Sequence, residues 1–315
     1  MKPKRLLRKK KLSNQPNDLS GVFIMKKSLY ELIIEKSLFL TALLSCFIIL
    51  IISAFIFIEG LPAIQEYGFF KFLLGNLWAP NDGEFGVFSM IAGSLYVTFL
   101  ALLISTPLSV LCATFMAEVA GENVRNILKP VIQTLSGIPS VVYGFFGLVV
   151  LVPFIRSHFG GSGFSVITAA LILSVMILPT IISVSYDSLR AVPGEYREAS
   201  LGLGATGWQT ISRVVIPSAL PGIITAIILG MGRAVGETLA VIMVVGNDSK
   251  IPYSIFEPAR TLTSNIALEM SYATGIHYHA LFTTAVILFI LIMLLLVVVK
   301  CIQRRFSLDI SGGSL

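Results

Sequence analysis

Arg233 and Glu237 are the only charged residues inside the six long apolar segments of this chain, in the run Gly232-Arg233-Ala234-Val235-Gly236-Glu237-Thr238. A charge at bilayer depth costs about 2.5–3.5 kcal/mol even on a lenient insertion scale. A chain carries that cost when the charges face a protected polar interior, which is how a transport pathway looks in sequence. On a continuous helix the i, i+4 spacing puts both side chains on one face, where they can pair. The planar guanidinium, with its fork of N–H donors, suits a tetrahedral oxyanion. Two readings follow. Glu237 holds Arg233 at rest and yields it to substrate, or the two form a purely structural ion pair. Gly232 and Gly236 add a small-xxx-small repeat that admits a neighbouring helix. Ser140 and Tyr143 are polar groups in another span, candidates either for lining the path or for ordinary interhelical hydrogen bonds.

A second group of residues suits contact with a partner. Between the fourth and fifth apolar segments, Pro193-Gly194 breaks the chain, and Glu195 to Leu203 has the length for about two helical turns. Gly202, Gly204 and Gly207 then interrupt it. Thr206 with Gln209 is a capping-box pattern opening a second short helix. On that helix Trp208, Ile211 and Val215 fall at i, i+3 and i+7, one face. An exposed apolar stripe on a helix–turn–helix suits a groove on another protein. Packing of the same stripe on the membrane surface or on the chain's own spans fits the spacing equally.

The elements that must position these residues are membrane helices. Of the 315 residues 55% are apolar and 13% charged, and the mean hydropathy is +0.88. A soluble domain carries about 25% charged residues. Six segments are long enough to span the bilayer, which needs about 20 residues each: Ser37–Ile58, Ile91–Met116, Val131–Ile155, Ser165–Val184, Ala219–Val245 and Leu281–Val299. Pro107 is expected to kink the second. The first reads as a retained anchor rather than a cleaved leader, and Met25-Lys26-Lys27 as a second possible start. Placing both termini in the cytoplasm puts 18 of the 23 basic residues inside, as the positive-inside rule demands. Membrane topology therefore explains the net charge of +6 without a nucleic-acid partner. The resulting map is a basic tail over 1–36, a first span over 37–58, an external loop over 59–90, a core over 91–306 and a C-terminal tail over 307–315. The partner-facing loop occupies 191–217.

Other chemistries lack their residues. Cys46, Cys112 and Cys301 are far apart and give neither a metal spacing nor a disulfide framework. His158, His277 and His279 are expected in loops, which leaves no histidine relay in the membrane. No glycine-lysine dipeptide exists, so there is no phosphate-binding P-loop. Any ATP and magnesium that drive transport must then be bound by another chain. No nucleophile–base constellation is present, so the chain reads as a transport subunit rather than an enzyme. The external loops are too short to hold a soluble receptor domain.

The loop pattern Glu198-Ala199-Ser200, three residues, Gly204, nine residues, Val214-Val215-Ile216-Pro217 resembles the EAA loop of ABC importer permeases. Ser200, Val214 and Ile216 are mild departures from that pattern. The run Gly230 to Asn247 is similar to the fifth span of PstC-type permeases of phosphate-specific ABC importers. So are Gly137-Ile138-Pro139-Ser140-Val141-Val142-Tyr143-Gly144, Leu77-Trp78-Ala79-Pro80-Asn81-Asp82 and Leu262-Thr263-Ser264-Asn265-Ile266-Ala267. The resemblance covers about residues 37 to 306. It implies an all-α polytopic fold with a type I, MetI-like permease core in a prokaryotic plasma membrane, importing inorganic phosphate by alternating access. It also implies that Glu198, Ala199, Gly204, Trp208 and Ile211 couple to an ATPase dimer. A PstA-type second permease and an external phosphate-binding protein complete the expected assembly within the lipid. A permease for another oxyanion (sulfate, molybdate, phosphonate) and an ATP-independent secondary transporter are the rival readings.

Overall fold

The computed structural model describes residues 29–311. Most of the basic tail, Met25 and the last four residues lie outside the described residues. Among the described residues the helices run in chain order as α1 (Leu29–Tyr67), α2 (Phe69–Leu74), α3 (Phe88–Thr114), α4 (Glu122–Gly137), α5 (Ser140–Phe146) and α6 (Val152–Phe159). They continue as α7 (Val166–Arg190), α8 (Gly194–Gly202), α9 (Gly207–Thr210), α10 (Ile216–Gly236), α11 (Leu239–Val244), α12 (Leu262–Glu269) and α13 (Ile276–Ser311). A two-stranded antiparallel hairpin, β1 (Trp78–Ala79) with β2 (Glu84–Phe85), lies between α2 and α3.

The chain forms two compact units, Met1–Ile52 and Ser53–Leu315. In the first unit the apolar side chains of α1 are exposed, Leu43, Phe47 and Leu50 among them. This is how a lipid-facing helix must look. Its hydroxyls are satisfied without water: Ser37 and Thr41 donate to the carbonyls of Ile34 and Leu38, and Ser45 to that of Thr41. Such back-bonding is what makes a serine tolerable in hydrocarbon.

In the second unit α7 is the central helix. Leu173, Met176, Ile177 and Ile181 are buried with Val97 and Ala101 of α3, Ala226 of α10 and Val244 of α11. Alanines and serines at these crossings (Ala101, Ser105, Ser109, Ala169, Ala170) let the backbones approach. The last turns of α1 cross α13 at Gly60, where a Cβ would come within 3.1 Å of the Thr283 nitrogen. There the Thr283 hydroxyl donates to the Gly60 carbonyl at 2.7 Å.

Among the described residues six helices are long and apolar enough to cross a membrane, in agreement with the sequence: Ile33–Tyr67, Phe88–Val119, Ser140–Phe159, Val166–Arg190, Gly207–Gly236 and Ile276–Cys301. Several boundaries differ from expectation: the first span ends at Tyr67, the fourth at Arg190, and the fifth starts at Gly207. Two further differences have a local cause. The third span starts at Ser140 rather than Val131, because Ile138-Pro139 breaks the chain and leaves Val131 in the separate helix α4. A residue before proline is driven out of the helical region, and Ile138 has ψ 128°. The fifth helix stops at Gly236, not Val245, and the last apolar residues form the short α11. The histidines also differ. His158 lies in the last turn of α6, while His277 and His279 open α13.

Among the described residues three π-helical turns interrupt the bundle, at Phe115–Val119, Gly147–Leu151 and Ile211–Val215. The last sits between α9 and α10, so one extra residue rotates the register where the partner-facing loop meets the fifth span.

Candidate translocation site and coupling surface

Arg233 lies one turn from the end of α10 and is half-buried. Its Nη1 donates to the Thr180 hydroxyl of α7 at 3.4 Å, a long bond for N–H to oxygen. Among the described residues Arg233 forms no ion pair.

The expected pairing with Glu237 is corrected by the backbone. Glu237 has φ −72° and ψ 130°, an extended conformation directly after α10 ends. The i, i+4 relation therefore does not exist, and the two side chains do not share a helix face. The Glu237 carboxylate instead accepts the Ala240 N–H at 3.2 Å, in the first turn of α11. Unsatisfied N–H groups and the positive end of the dipole make that position favourable for a carboxylate. Glu237 also accepts the Thr263 hydroxyl on its carbonyl at 3.1 Å, which ties the break to α12. Non-helical backbone at membrane depth is tolerable where protein or a polar cavity surrounds it. The small cavity behind the break meets that condition, with Ser94, Thr98, Thr261 and Thr263 on its wall.

Tyr143, buried on α5, donates its hydroxyl to the Leu135 carbonyl of α4 at 2.8 Å. It thereby bridges the Ile138-Pro139 break. Ser140 opens α5 and is half-buried, and its side chain makes no hydrogen bond among the described residues. Thr180 was not visible as a site residue in the sequence. The adjacent Pro179 marks its position in the span but says nothing of Arg233.

The partner-facing loop folds largely as its residues dictate. α8 ends at Gly202, and Gly204 adopts φ +85°, the left-handed region glycine favours. A side chain there would meet nothing within 4 Å, so the glycine is required for conformation and not for space. The capping box is present: the Gln209 N–H reaches the Thr206 hydroxyl and the Thr206 N–H reaches the Gln209 side chain. Gly207 is the first residue of α9 rather than a third interruption. The expected stripe is not one exposed face. Trp208 is 67% exposed and Ile211 half-buried, while Val215 is fully buried against the core, since the π turn at Ile211–Val215 rotates it inward. The exposed apolar set is Tyr196, Leu201, Leu203 and Trp208, with Leu203 90% exposed. Glu198 and Ala199 are exposed beside them.

Arg197 fixes this loop to the bundle. It forms a bidentate pair with Glu118 in the π turn ending the second span, at 2.7 and 3.1 Å. It also donates to the carbonyls of Leu189, Val192 and Pro193. The hydrogen bonds it donates to Glu118 hold the guanidinium even more firmly in its charged form. Glu118 too was missed in the sequence, where the cue was a lone carboxylate at the end of an apolar span. At the other end of the bundle Glu269, 6% exposed, accepts Trp78, Arg260 and His277 at 2.7–2.8 Å. This closes the hairpin onto α12 and α13.

Six crossing helices with a broken fifth span and a protruding loop define a multi-pass membrane permease. The chain belongs to the family described as "Binding-protein-dependent transport system inner membrane component", whose model matches residues 105–311. It is 42% identical over 261 residues to the probable ABC transporter permease protein YqgH of Bacillus subtilis (strain 168), covering 81% of this chain and 84% of that protein. It is 37% identical over 242 residues to the phosphate transport system permease protein PstC of Pasteurella multocida (strain Pm70), covering 70% and 76%. Its fold is similar, with a TM-score of 0.63 at 18% identity, to a chain of a bacterial alginate ABC transporter over 89% of this chain and 98% of that one. The fold is that of type I, MetI-like importer permeases.

Proposed function

We propose that this chain supplies half of the membrane pathway of an ATP-driven importer for inorganic phosphate. The carrying observation is Arg233: a half-buried guanidinium beside a helix break at membrane depth, with no carboxylate partner among the described residues. Most of its five N–H donors remain open to an oxyanion. The similarity to PstC of Pasteurella multocida supports phosphate as that oxyanion.

The mechanism is alternating access. A PstA-type second permease completes the path, two ATPase copies bind ATP and magnesium, and an external phosphate-binding protein delivers the anion. Both termini face the cytoplasm, as the basic residues demand. The α8–α9 loop, presenting Tyr196, Leu201, Leu203 and Trp208 around Glu198 and Ala199, docks into the ATPase. Closure of the ATPases pushes on that loop. Arg197 and Glu118 transmit the push to the second span, and the π turn transmits it to the fifth. Tyr143 orients the wall facing Arg233, and Ser140 lines it.

Uptake of radiolabelled phosphate in cells carrying the assembly, with the ATPase intact or inactivated, tests this reading. ATPase-dependent uptake, undiminished by excess sulfate, molybdate or phosphonate, is expected. Uptake that continues with the ATPase inactive contradicts the coupling, and uptake abolished by sulfate contradicts the substrate.

A further inference from the structure

The groove between α4 and α7 holds a cluster of polar side chains that the site around Arg233 does not use. Thr180, the partner of Arg233, is followed on α7 by Ser183 and Asp187, at i+3 and i+7 on the same face. All three lie on the less buried side of that helix. Seven residues of helix span about 10 Å, so this face descends about that far from Arg233 toward the coupling-loop end. Facing it on α4, Lys129 and Gln133 stand at i, i+4. A cavity of about 140 Å³ lies between the helices, lined by Lys129, Gln133, Ser183, Tyr186 and Asp187. That is well above what a single water needs. α4 is joined to the upper site as well, since its Leu135 carbonyl accepts the Tyr143 hydroxyl.

Lys129 makes no ion pair among the described residues. Its ammonium sits 5.8 Å from the centre of the Tyr186 ring, an aromatic contact that orients a cation without neutralising it. Asp187 shares the cavity, again without an ion pair among the described residues. An anion entering would meet one cation and neutral donors from Gln133, Ser183 and Tyr186. The Asp187 carboxylate would weaken the hold. Weak holding is what a release station requires, because a conducted ion must bind well enough to enter and loosely enough to leave.

The geometry points to a second station for the transported tetrahedral oxyanion in the α4–α7 groove, with Lys129 as its cation, through which the anion passes after leaving Arg233. This rests on the pathway and orientation given under the proposed function.

The test uses the whole assembly in proteoliposomes, with inorganic phosphate as probe. Lys129→Gln should lower maximal uptake about fivefold or more, at normal protein level and with the half-saturating external phosphate within about twofold of the parent. Lys129→Arg should restore most of the rate. Lys300→Gln, which removes an exposed lysine from the same membrane side, should leave uptake unchanged. A Lys129→Gln rate equal to the parent overturns the station. So does an equal loss in Lys129→Arg, which would make Lys129 a packing residue, or an equal loss in Lys300→Gln, which would make the effect one of surface charge. Arg233→Gln is measured in the same preparation. Normal uptake there contradicts the upper site and leaves Lys129 to be judged by its own variants.

Discussion

Arg197 lies in the partner-facing loop and Arg233 on the helix that follows it, and their surroundings are opposite. Arg197 donates five hydrogen bonds, two to the Glu118 carboxylate and three to backbone carbonyls. Arg233 donates one, at 3.4 Å, to a neutral hydroxyl. A guanidinium whose donors are all engaged is a pin, because any movement breaks several bonds at once. A half-buried guanidinium with one weak bond is costly to keep, and it repays that cost only when something else arrives to use the donors. On the proposed function, the molecule keeps one arginine for transmitting force and one for an anion.

The largest expected effect is at Arg233. Arg233→Lys should reduce uptake by about two orders of magnitude, since a point ammonium cannot reproduce the planar fork. Membrane levels should stay normal, as no partner is left unpaired except the Thr180 hydroxyl. Uptake per unit of immunodetected protein measures this. Loss of the protein itself would move Arg233 into the same class as Arg197.

Arg197 should behave in the reverse way. Glu118→Gln leaves the guanidinium without its countercharge, and loss of a charge-assisted bond of this kind costs about 1.5–3 kcal/mol. The expected outcome is lower thermal stability of the detergent-solubilised protein and weaker co-purification with the ATPase. A Glu118→Gln variant with unchanged melting would break the comparison, because the pin would then carry no load.

Gly204→Ala should come next. The left-handed backbone at φ +85° costs a residue with a Cβ about 1–2 kcal/mol, while the space itself is open. ATPase co-purification should fall several-fold, and Gly204→Asn should fall less, since asparagine tolerates that region. The smallest effect belongs to Thr206→Ala, which removes one half of the capping box at about 1 kcal/mol. Faster hydrogen exchange confined to the single turn of α9 and the π turn after it should report it, with uptake nearly unchanged.

The two regions also differ in how far their residues announced them. The loop was legible because its signals are local. Thr206 and Gln209 form a box within four residues, Gly204 takes a conformation that few other residues accept, and Pro193 starts α8. The six spans were legible for the same reason, since hydropathy is a property of short windows. The break at Glu237 was not. Leu239 to Val245 continues the apolar run, and hydropathy cannot register where a helix is interrupted. What holds the break and the far end of α11 is distant: Thr263 on the Glu237 carbonyl, and beyond α11 the Ser165 N–H on Val244 and the Ala259 N–H on Val245. Arg197 and Glu118 are 79 residues apart, and Arg233 and Thr180 are 53 apart, so neither contact had a local trace. The π turn at Ile211–Val215 likewise shifted the helical register and buried Val215 away from Trp208.

The central claim is that Arg233 serves the anion and not Glu237. The most direct measurement is phosphate uptake by Arg233→Gln, Glu237→Gln and the double variant, each normalised to membrane protein. Glu237→Gln keeps an amide oxygen for the Ala240 N–H, so the account predicts uptake within about threefold of the parent for that variant. Arg233→Gln and the double variant should both transport almost nothing. Equal loss in the two single variants, with uptake restored in the double variant, would show an ion pair and contradict the account.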